Sequence, residues 1–153
     1  MMKNKGIKKI IILVLLALLT FGALQTQTIT VEAKSKTVKA SNKDIKTMAA
    51  VCYLEAGTHY NNCLAVANVV LNRVKSKGYP NTINGVVYQR SQFSVAKHVK
   101  KHINKPKKTC LKAVKNALAG KNNIKNRKSF RSASYARGKK YKNSVKIGDN
   151  VFF

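Results

Sequence analysis

The chain has 153 residues, with 31 lysines and arginines against four aspartates and glutamates, and a formal net charge of +27 at pH 7. A chain of this length forms one small domain, and the absence of an internal repeat excludes a repeat array. The charge predicts an anionic partner, either nucleic acid inside a cell or wall polyanions and anionic lipid outside it. A solvated cationic surface without a specific partner is the alternative.

The N-terminal segment has the layout of a secretory signal peptide. Four lysines occur within the first nine residues, residues 10–19 are apolar, and Val31-Glu32-Ala33 offers a small-x-small cleavage site. The apolar run is short for a permanent transmembrane helix, so we expect cleavage, secretion and no stable membrane insertion afterwards. An uncleaved anchor is the alternative. We predict a signal peptide over residues 1–33, a flexible basic leader over 34–43 and a folded domain over 44–153.

Capping residues and apolar spacing predict three main helices and one short helix. The first helix is expected over residues 44–56, starting near Ser41 and Asp44 and ending at Gly57. The second is expected to be capped by Asn61-Asn62, to run to about residue 77 and to end at Gly78. Thr82 is expected to cap a short helical piece, and Thr109 a third main helix that ends at Gly120. Residues 121–128 are expected to be a basic loop.

The C-terminal residues predict short strands. Residues 129–136 alternate partly between polar and apolar side chains, and the chain ends in VFF. We predict strands in both places, with a hairpin around residues 138–143. The expected fold class is therefore α+β, helix-rich with short C-terminal β-strands.

The three cysteines leave several interpretations open. An exported protein can hold a disulfide, and a bond between the first two cysteines could bridge neighbouring helices, but free buried thiols fit as well. The spacing of cysteines and histidines matches no compact zinc pattern, so no metal is expected, and the last two histidines are expected to be exposed. The residues concerned are Cys52, Cys63, Cys110, His59, His98 and His102.

Glu55 is an acid within an apolar run, AAVCYLEAG. It follows Cys52 by three residues and Met48 by seven, so it points along the apolar side of the first helix, towards the core or a cleft. Burial and the carbonyls of the last helical turn both oppose ionisation and should raise its pKa. A carboxyl that stays protonated near neutral pH suits a general acid. A structural ion pair with Arg73 or a lysine is the alternative.

Four segments resemble the spore-cortex-lytic, SleB-type cell wall hydrolases. In order they are YLEA at 53–56, AVANVVLNRVKS at 65–76, YPNTINGVVY at 79–88 and QFS at 92–94, and the tail segments FRSASY at 130–135 and IGDNVFF at 147–153 are also similar. The resemblance covers about residues 44–153, which it identifies as the catalytic domain.

The resemblance implies a lysozyme-like fold and cleavage of the peptidoglycan glycan strand between N-acetylmuramic acid and N-acetylglucosamine, in the cell wall or the spore cortex at germination. It implies a lytic transglycosylase with Glu55 as catalytic residue. Gln92 and Phe93 would lie on the cleft wall with Tyr88 nearby, and we expect these three to bind substrate. Two-carboxylate glycosidases need a second acid. Asp44 is too far along the helix, and Asp149 stays a possible second acid.

Three other functions compete with this hypothesis. A non-catalytic cationic wall-binding protein would explain the charge and the export. Nucleic-acid binding is disfavoured by the signal peptide and by the few aromatic residues that could stack on bases. A stem-peptide amidase or peptidase would need a metal or an activated cysteine. We expect a monomer without a cofactor, which contacts peptidoglycan and anionic wall polymers in the cell wall or spore envelope.

Overall fold

The computed structural model describes residues 37–153, so the predicted signal peptide and residues 34–36 lie outside the described residues. The elements in chain order are α1 (Asn42–Ala56), α2 (Tyr60–Val74), α3 (Ile83–Tyr88), a 3₁₀-helix (Ser94–His98), α4 (Val99–His102), α5 (Lys108–Leu118), β1 (Phe130–Ser132), α6 (Ala133–Ala136), β2 (Val145–Ile147) and β3 (Asn150–Phe152). Among these helices, none has the length and apolar character needed to cross a membrane.

The start of α1 follows from its first residues. The Ser41 hydroxyl accepts a hydrogen bond from the Asp44 backbone N–H, and the Asp44 carboxylate accepts one from the Ser41 backbone N–H, which is a reciprocal capping box. The helix ends at Ala56, before Gly57, as predicted. The leader differs from its predicted form, because Val38 and Ala40 are partly buried against the core rather than free of it.

Helix α2 forms the centre of the domain and packs against both α1 and α5. Its buried residues continue from Asn62 to Leu71 because it has neighbours on several sides. The predicted bounds were wrong at both ends. The helix starts at Tyr60, so Asn62 is a buried helical residue rather than a cap. It ends at Val74 because the last turn tightens, with the Ser76 N–H bonded to the carbonyl of Arg73.

Of the two other predicted caps, the one at α3 is confirmed and the one at α5 is wrong. Thr82 does cap α3, since its hydroxyl accepts a hydrogen bond from the Gly85 N–H at 3.1 Å. Thr109 does not cap α5, because the helix already begins at Lys108, two residues after Pro106, with Lys107 in extended geometry and no side-chain cap. The cysteines of this core, at positions 52, 63 and 110, are free thiols, so the Cys52–Cys63 bridge is not formed.

The three strands form an antiparallel sheet in the order β1-β3-β2. The predicted hairpin around residues 138–143 was wrong, because β1 pairs with the last strand rather than with β2. The Ser132 hydroxyl accepts a hydrogen bond from the Tyr135 N–H, which starts the α6 turn and ends β1. The hairpin joins β2 and β3 instead, across Gly148 and Asp149. Phe152 of the central strand is fully buried.

Polar residues of α2 hold the basic loop that leads into β1. The Asn68 amide donates to the carbonyl of Lys121, the Asn72 amide donates to those of residues 125 and 127, and Arg73 Nε donates to that of Lys128. Residues 121–128 form no helix or strand, as predicted, but their carbonyls are fixed to the central helix. This fixes the position of β1 relative to the end of α1.

Candidate active site

Glu55 lies in the last turn of α1 and lines a groove of about 740 Å³, which we call the Glu55 groove. Helix α2, the segment after α3 and the C-terminal sheet supply the remaining walls. The lining residues are Glu55, Arg73, Ser91, Gln92, Ser94, Ser129, Phe130, Arg131, Ser132, Tyr135, Asn150 and Phe153. The groove therefore joins parts of the chain that are almost 100 residues apart in sequence.

The sheet is tied directly to the residue that carries the candidate acid. Asn150 is buried at the start of β3, and its side-chain amide donates a hydrogen bond to the backbone carbonyl of Glu55 at 3.4 Å. This carbonyl belongs to the last helical turn, where carbonyls have no partner within the helix. The bond leaves the carboxyl of Glu55 free while it fixes the backbone beneath it.

Burial raises the pKa of the Glu55 carboxyl above its ordinary value, and the positive charge of Arg73 opposes this rise. The raised pKa predicted from the sequence is confirmed, with burial as its main cause. Among the described residues, no hydrogen bond or ion pair engages the carboxyl of Glu55. The carboxyl is therefore available for a proton transfer to a molecule in the groove.

Arg73 lies under the same groove and is only 4% exposed. Its Nε donates to the carbonyl of Lys128 at 2.7 Å, and its guanidinium carbon lies 5.0 Å from the ring centre of Phe93 and 5.5 Å from that of Tyr79. Its Nη1 has no hydrogen-bond partner among residues 37–153. Burial lowers the pKa of Arg73, and the charge of Glu55 opposes that shift. Arg73 is thus a fixed positive charge close to the acid but not paired with it.

The three predicted substrate-binding residues do not come together in the groove. Gln92 lines it. Phe93 is 5% exposed and lies beneath the groove, with its ring centre 6.3 Å from that of Phe130. Tyr88, at the end of α3, is 45% exposed and is not among the lining residues. The predicted contacts of Phe93 and Tyr88 with substrate stay predictions, and this conformation places only Gln92 where a ligand would touch it.

The C-terminal third of the chain contributes groove residues that the sequence did not assign. Tyr135 is 56% exposed, and Phe130 and Phe153 also line the groove. The resemblance of the segment FRSASY to the family predicts no role for its side chains. The available signal was the combination of aromatic side chains with serine hydroxyls in one short segment, because these groups together often line ligand clefts. Ser91, another lining residue, has φ 63°, a backbone geometry concentrated at functional sites.

The other described acids lie away from the groove. Asp44 is held in the α1 cap, where it also accepts a hydrogen bond from the Asn84 amide at 2.9 Å. Asp149 lines two other depressions and is not among the residues that line the Glu55 groove. Glu55 is therefore the single acidic side chain among the groove residues that the structure describes.

The candidate metal ligands do not form a cluster. Over residues 37–153, no three histidine, cysteine, aspartate or glutamate side chains are placed to hold a metal ion. His98 is exposed as predicted, whereas His102 is half-buried, because its ring packs against Tyr53 with ring centres 5.3 Å apart. Cys52 is fully buried, and burial raises its thiol pKa well above the ordinary value, so it is a poor nucleophile.

The sequence matches known proteins over much of the domain. The spore cortex-lytic enzyme of Bacillus cereus is 38% identical over 81 residues, which are 52% of this chain and 31% of that protein. The enzyme of the same description from Bacillus subtilis is 35% identical over 81 residues, which are 52% of this chain and 26% of that protein. The match thus spans about a third or less of the length of these curated relatives.

Two solved structures share the fold. The catalytic domain of the Bacillus cereus SleB protein superposes with a TM-score of 0.62 at 32% identity. The superposition covers 74% of this chain and 91% of the Bacillus cereus domain. The catalytic domain of the germination-specific lytic transglycosylase SleB from Bacillus anthracis superposes with a TM-score of 0.63 at 32% identity. This superposition covers 74% of this chain and 95% of the Bacillus anthracis domain. The predicted helix-rich α+β fold class is confirmed. The family model for the Cell Wall Hydrolase also matches, from residue 57, two positions after Glu55, to residue 153, and the chain belongs to this family.

Proposed function

We propose that this chain cleaves the glycan strand of peptidoglycan between N-acetylmuramic acid and N-acetylglucosamine, as a lytic transglycosylase of the cell wall or spore cortex. The observation that carries the proposal is the isolation of Glu55: one partly buried carboxyl with a raised pKa lines a groove that contains no second acidic side chain among the described residues. The family match and the Bacillus anthracis structure, whose name includes this activity, support the same reaction.

The number of carboxylates decides between mechanisms. Retaining and inverting glycosidases place two carboxyl groups within roughly 5–10 Å of each other, on either side of the scissile bond. The Glu55 groove offers one, because Asp44 and Asp149 face elsewhere. A single residue must then act first as an acid and later as a base, and the substrate must supply the remaining groups.

In the first step Glu55 donates its proton to the glycosidic oxygen. The bond between this oxygen and C1 of the muramic acid breaks, and the N-acetylglucosamine leaves with a free hydroxyl. The N-acetyl group of the muramic acid supports the positive charge that develops at C1. The raised pKa of Glu55 extends to higher pH the range in which this proton is available for the step.

In the second step the Glu55 carboxylate accepts the proton of the muramic C6 hydroxyl. The C6 oxygen then bonds to C1 and closes a 1,6-anhydro ring, and Glu55 is protonated again as at the start. Water in place of the C6 hydroxyl would give hydrolysis. The two outcomes use the same carboxyl and differ only in which hydroxyl lies next to it.

Arg73 would stabilise the carboxylate between the two steps. Its guanidinium is fixed by the carbonyl of Lys128 and by the ring of Phe93, and its charge acts on Glu55 without a direct bond. A direct ion pair would hold Glu55 ionised and prevent the first step, whereas a nearby unpaired charge lowers the cost of the ionised state once the proton has left. Arg73 is therefore a positioning residue in this proposal.

The remaining groove residues fit a sugar strand. Gln92 offers an amide, the four serines at 91, 94, 129 and 132 offer hydroxyls, and Tyr135 and Phe153 offer aromatic faces. Arg131 adds a positive charge that suits the carboxylates carried by muramic acid and its stem peptides. Aromatic and amide groups that converge in a groove are typical of sites for polar ligands with apolar faces.

The chain would meet this substrate outside the cytoplasm. The predicted signal peptide and the net charge of +27 favour a secreted monomer that is held at the cell wall or spore envelope by peptidoglycan and anionic wall polymers. The charge also favours the alternative, a cationic wall-binding protein without catalytic activity, which would bind sacculi and leave them intact.

Release of soluble fragments from purified sacculi separates these two functions. The wild-type chain should solubilise sacculi, and Glu55→Gln should bind them equally well but reduce release by about 10²–10⁴-fold or more, since it removes the general acid and base. Asp149→Asn is the matched control, because it makes the same chemical change outside the groove and should keep nearly full activity. Binding without release by the wild-type chain would establish the non-catalytic alternative.

A further inference from the structure

Two cysteine thiols meet where three helices converge. Cys63 lies in the first turn of α2, Cys110 lies in the first turn of α5, and both contact the carbonyl of Gly57, the residue that ends α1, at 3.4 Å and 3.3 Å. Both thiols are fully buried. The function proposed for Glu55 uses neither of them.

The two sulfur atoms are closer than unbonded atoms normally approach. Their separation is 2.6 Å, whereas non-bonded heavy atoms rest at roughly 3.5–4 Å and the bonded sulfurs of a disulfide at about 2.05 Å. A small shift of two χ angles would therefore bring them into a bond. Helices α2 and α5, which carry the two cysteines, pack directly against each other.

We propose that Cys63 and Cys110 form an intramolecular disulfide when the chain folds outside the cytoplasm, and that Cys52 remains a thiol. The oxidant is a disulfide of the thiol–disulfide exchange class, such as an oxidoreductase or glutathione disulfide. One thiolate attacks it and forms a mixed disulfide, and the second thiolate displaces the reduced oxidant. Two cysteine thiols are thus oxidised, one external disulfide is reduced to two thiols, and atoms and electrons balance.

Cys52 lacks what the other two cysteines have. It lies within α1, and no other sulfur atom is in contact with its thiol among residues 37–153. An odd number of cysteines is then accounted for by one disulfide and one free thiol, and the pair is Cys63–Cys110 rather than the Cys52–Cys63 pair suggested by their proximity in sequence.

The bond would close a loop that contains most of α2, all of α3 and the short helices before α5. Closing a loop of this length restricts the unfolded chain and raises the melting temperature, here by on the order of 10 °C. It would also fix the junction at Gly57, two residues from Glu55. The formation of this bond and its effect on the melting temperature are independent of the catalytic role of Glu55.

The test uses the full chain folded in a buffer of reduced and oxidised glutathione. After denaturation without reductant, free thiols are alkylated and the chain is analysed by mass spectrometry. We expect one alkylated cysteine, Cys52, and a proteolytic fragment pair joined through Cys63 and Cys110. Three alkylated cysteines, or a link that includes Cys52, would overturn the proposal.

Variants provide a second readout. Cys52→Ala should keep the bond, and its melting temperature should fall by on the order of 10 °C when dithiothreitol is added. The double variant Cys63→Ala/Cys110→Ala should melt at the same temperature with and without dithiothreitol. If Cys52→Ala is equally insensitive to dithiothreitol, the disulfide is absent. Should the double variant fail to fold, the alkylation pattern of the wild-type chain alone decides.

Discussion

Arg73 and Glu55 share one groove, and each affects the ionisation of the other without a hydrogen bond or ion pair between them. The arginine is held by the carbonyl of Lys128 at 2.7 Å and by the ring of Phe93, so its position does not depend on the charge of the acid. Glu55 can therefore lose and regain a proton while the positive charge beside it stays in place.

Removing the charge of Arg73 should shift the pH profile in a definite direction. Arg73 lowers the pKa of Glu55, and the first step needs Glu55 protonated, so activity falls as pH rises through that pKa. In Arg73→Met the pKa rises further, and the alkaline fall of kcat/KM on soluble glycan strands should move to higher pH. Arg73→Lys keeps the charge and should keep the fall close to its wild-type position.

A structural role for Arg73 predicts a different result. The lost bond to Lys128 would then lower the melting temperature and the rate of both variants without moving the pH profile. Thermal unfolding of both variants beside the pH profiles separates the two roles. An unshifted alkaline fall in a folded Arg73→Met protein would contradict the electrostatic role.

Glu55→Gln should stabilise the folded protein at neutral pH. Burial outweighs the charge of Arg73 and raises the pKa of Glu55, so the folded state binds more protons than the unfolded state between the ordinary and the raised pKa. The stability of the wild-type chain therefore falls as pH rises through this interval, and glutamine avoids the loss. The melting temperature of Glu55→Gln should exceed that of the wild type at pH 7.

The same comparison at low pH is the control. Below the ordinary pKa of a glutamate, about 4.3, both states of the wild-type chain are protonated and the advantage of the variant should disappear. A melting-temperature difference that is the same at pH 3.5 and pH 7 would mean that glutamine acts through packing rather than through charge.

Two exposed tyrosines provide a matched test of the groove. Tyr135 is 56% exposed and lines the groove, whereas Tyr88 is 45% exposed and does not. Tyr135→Ala should raise KM on glycan strands by about tenfold, the effect of losing roughly 1.4 kcal/mol of contact energy, and leave the melting temperature nearly unchanged. Tyr88→Ala should leave both values near wild type. A larger effect from Tyr88→Ala would favour the contact predicted from the sequence and contradict the groove described above.

The β2–β3 turn should tolerate no side chain at Gly148. Its φ is 55°, and an added Cβ would overlap the side chain of Asn62. Gly148→Ala should therefore cost about 3 kcal/mol or more, from backbone strain together with overpacking. Because this turn leads to Asn150 and its bond to Glu55, activity should fall with stability.

Gly138→Ala is the control for this substitution. Gly138 also has a positive φ, 74°, but no atom lies within 4 Å of the position of an added Cβ. It should cost only about 1–2 kcal/mol, from backbone strain alone. Equal losses for the two variants in chemical denaturation would show that the contact with Asn62 is not what restricts Gly148.

Capping residues in the sequence correctly predicted the helix starts that depend on a contact between residues close in sequence. Ser41 with Asp44 marked the start of α1, and Thr82 marked that of α3, because in both cases a side chain bonds the backbone three residues away. The same reasoning was wrong for Asn62 and Thr109, since polar residues that resemble caps lie inside helices when tertiary packing extends the helix past them.

The sheet and most of the groove depend on contacts that leave little trace in local sequence. Strand β1 pairs with β3, whereas the sequence predicted a hairpin between β1 and the next strand along the chain. Glu55 could be identified because a charged residue on an apolar helical face is rare, and Gln92 because of the resemblance of its motif. The groove positions of Tyr135 and Asn150 could not, because the sheet brings them to the end of α1 from about 80 to 95 residues away in sequence.

Mass spectrometry of the fragments released from sacculi tests the central proposal, that a single carboxyl serves as both acid and base. The wild-type chain should release fragments ending in 1,6-anhydro-muramic acid. Glu55→Gln should release almost none, and Asp149→Asn should give the same fragments as wild type. Normal release by Glu55→Gln would contradict the role of this carboxyl, and fragments that end only in reducing sugars would contradict transglycosylation.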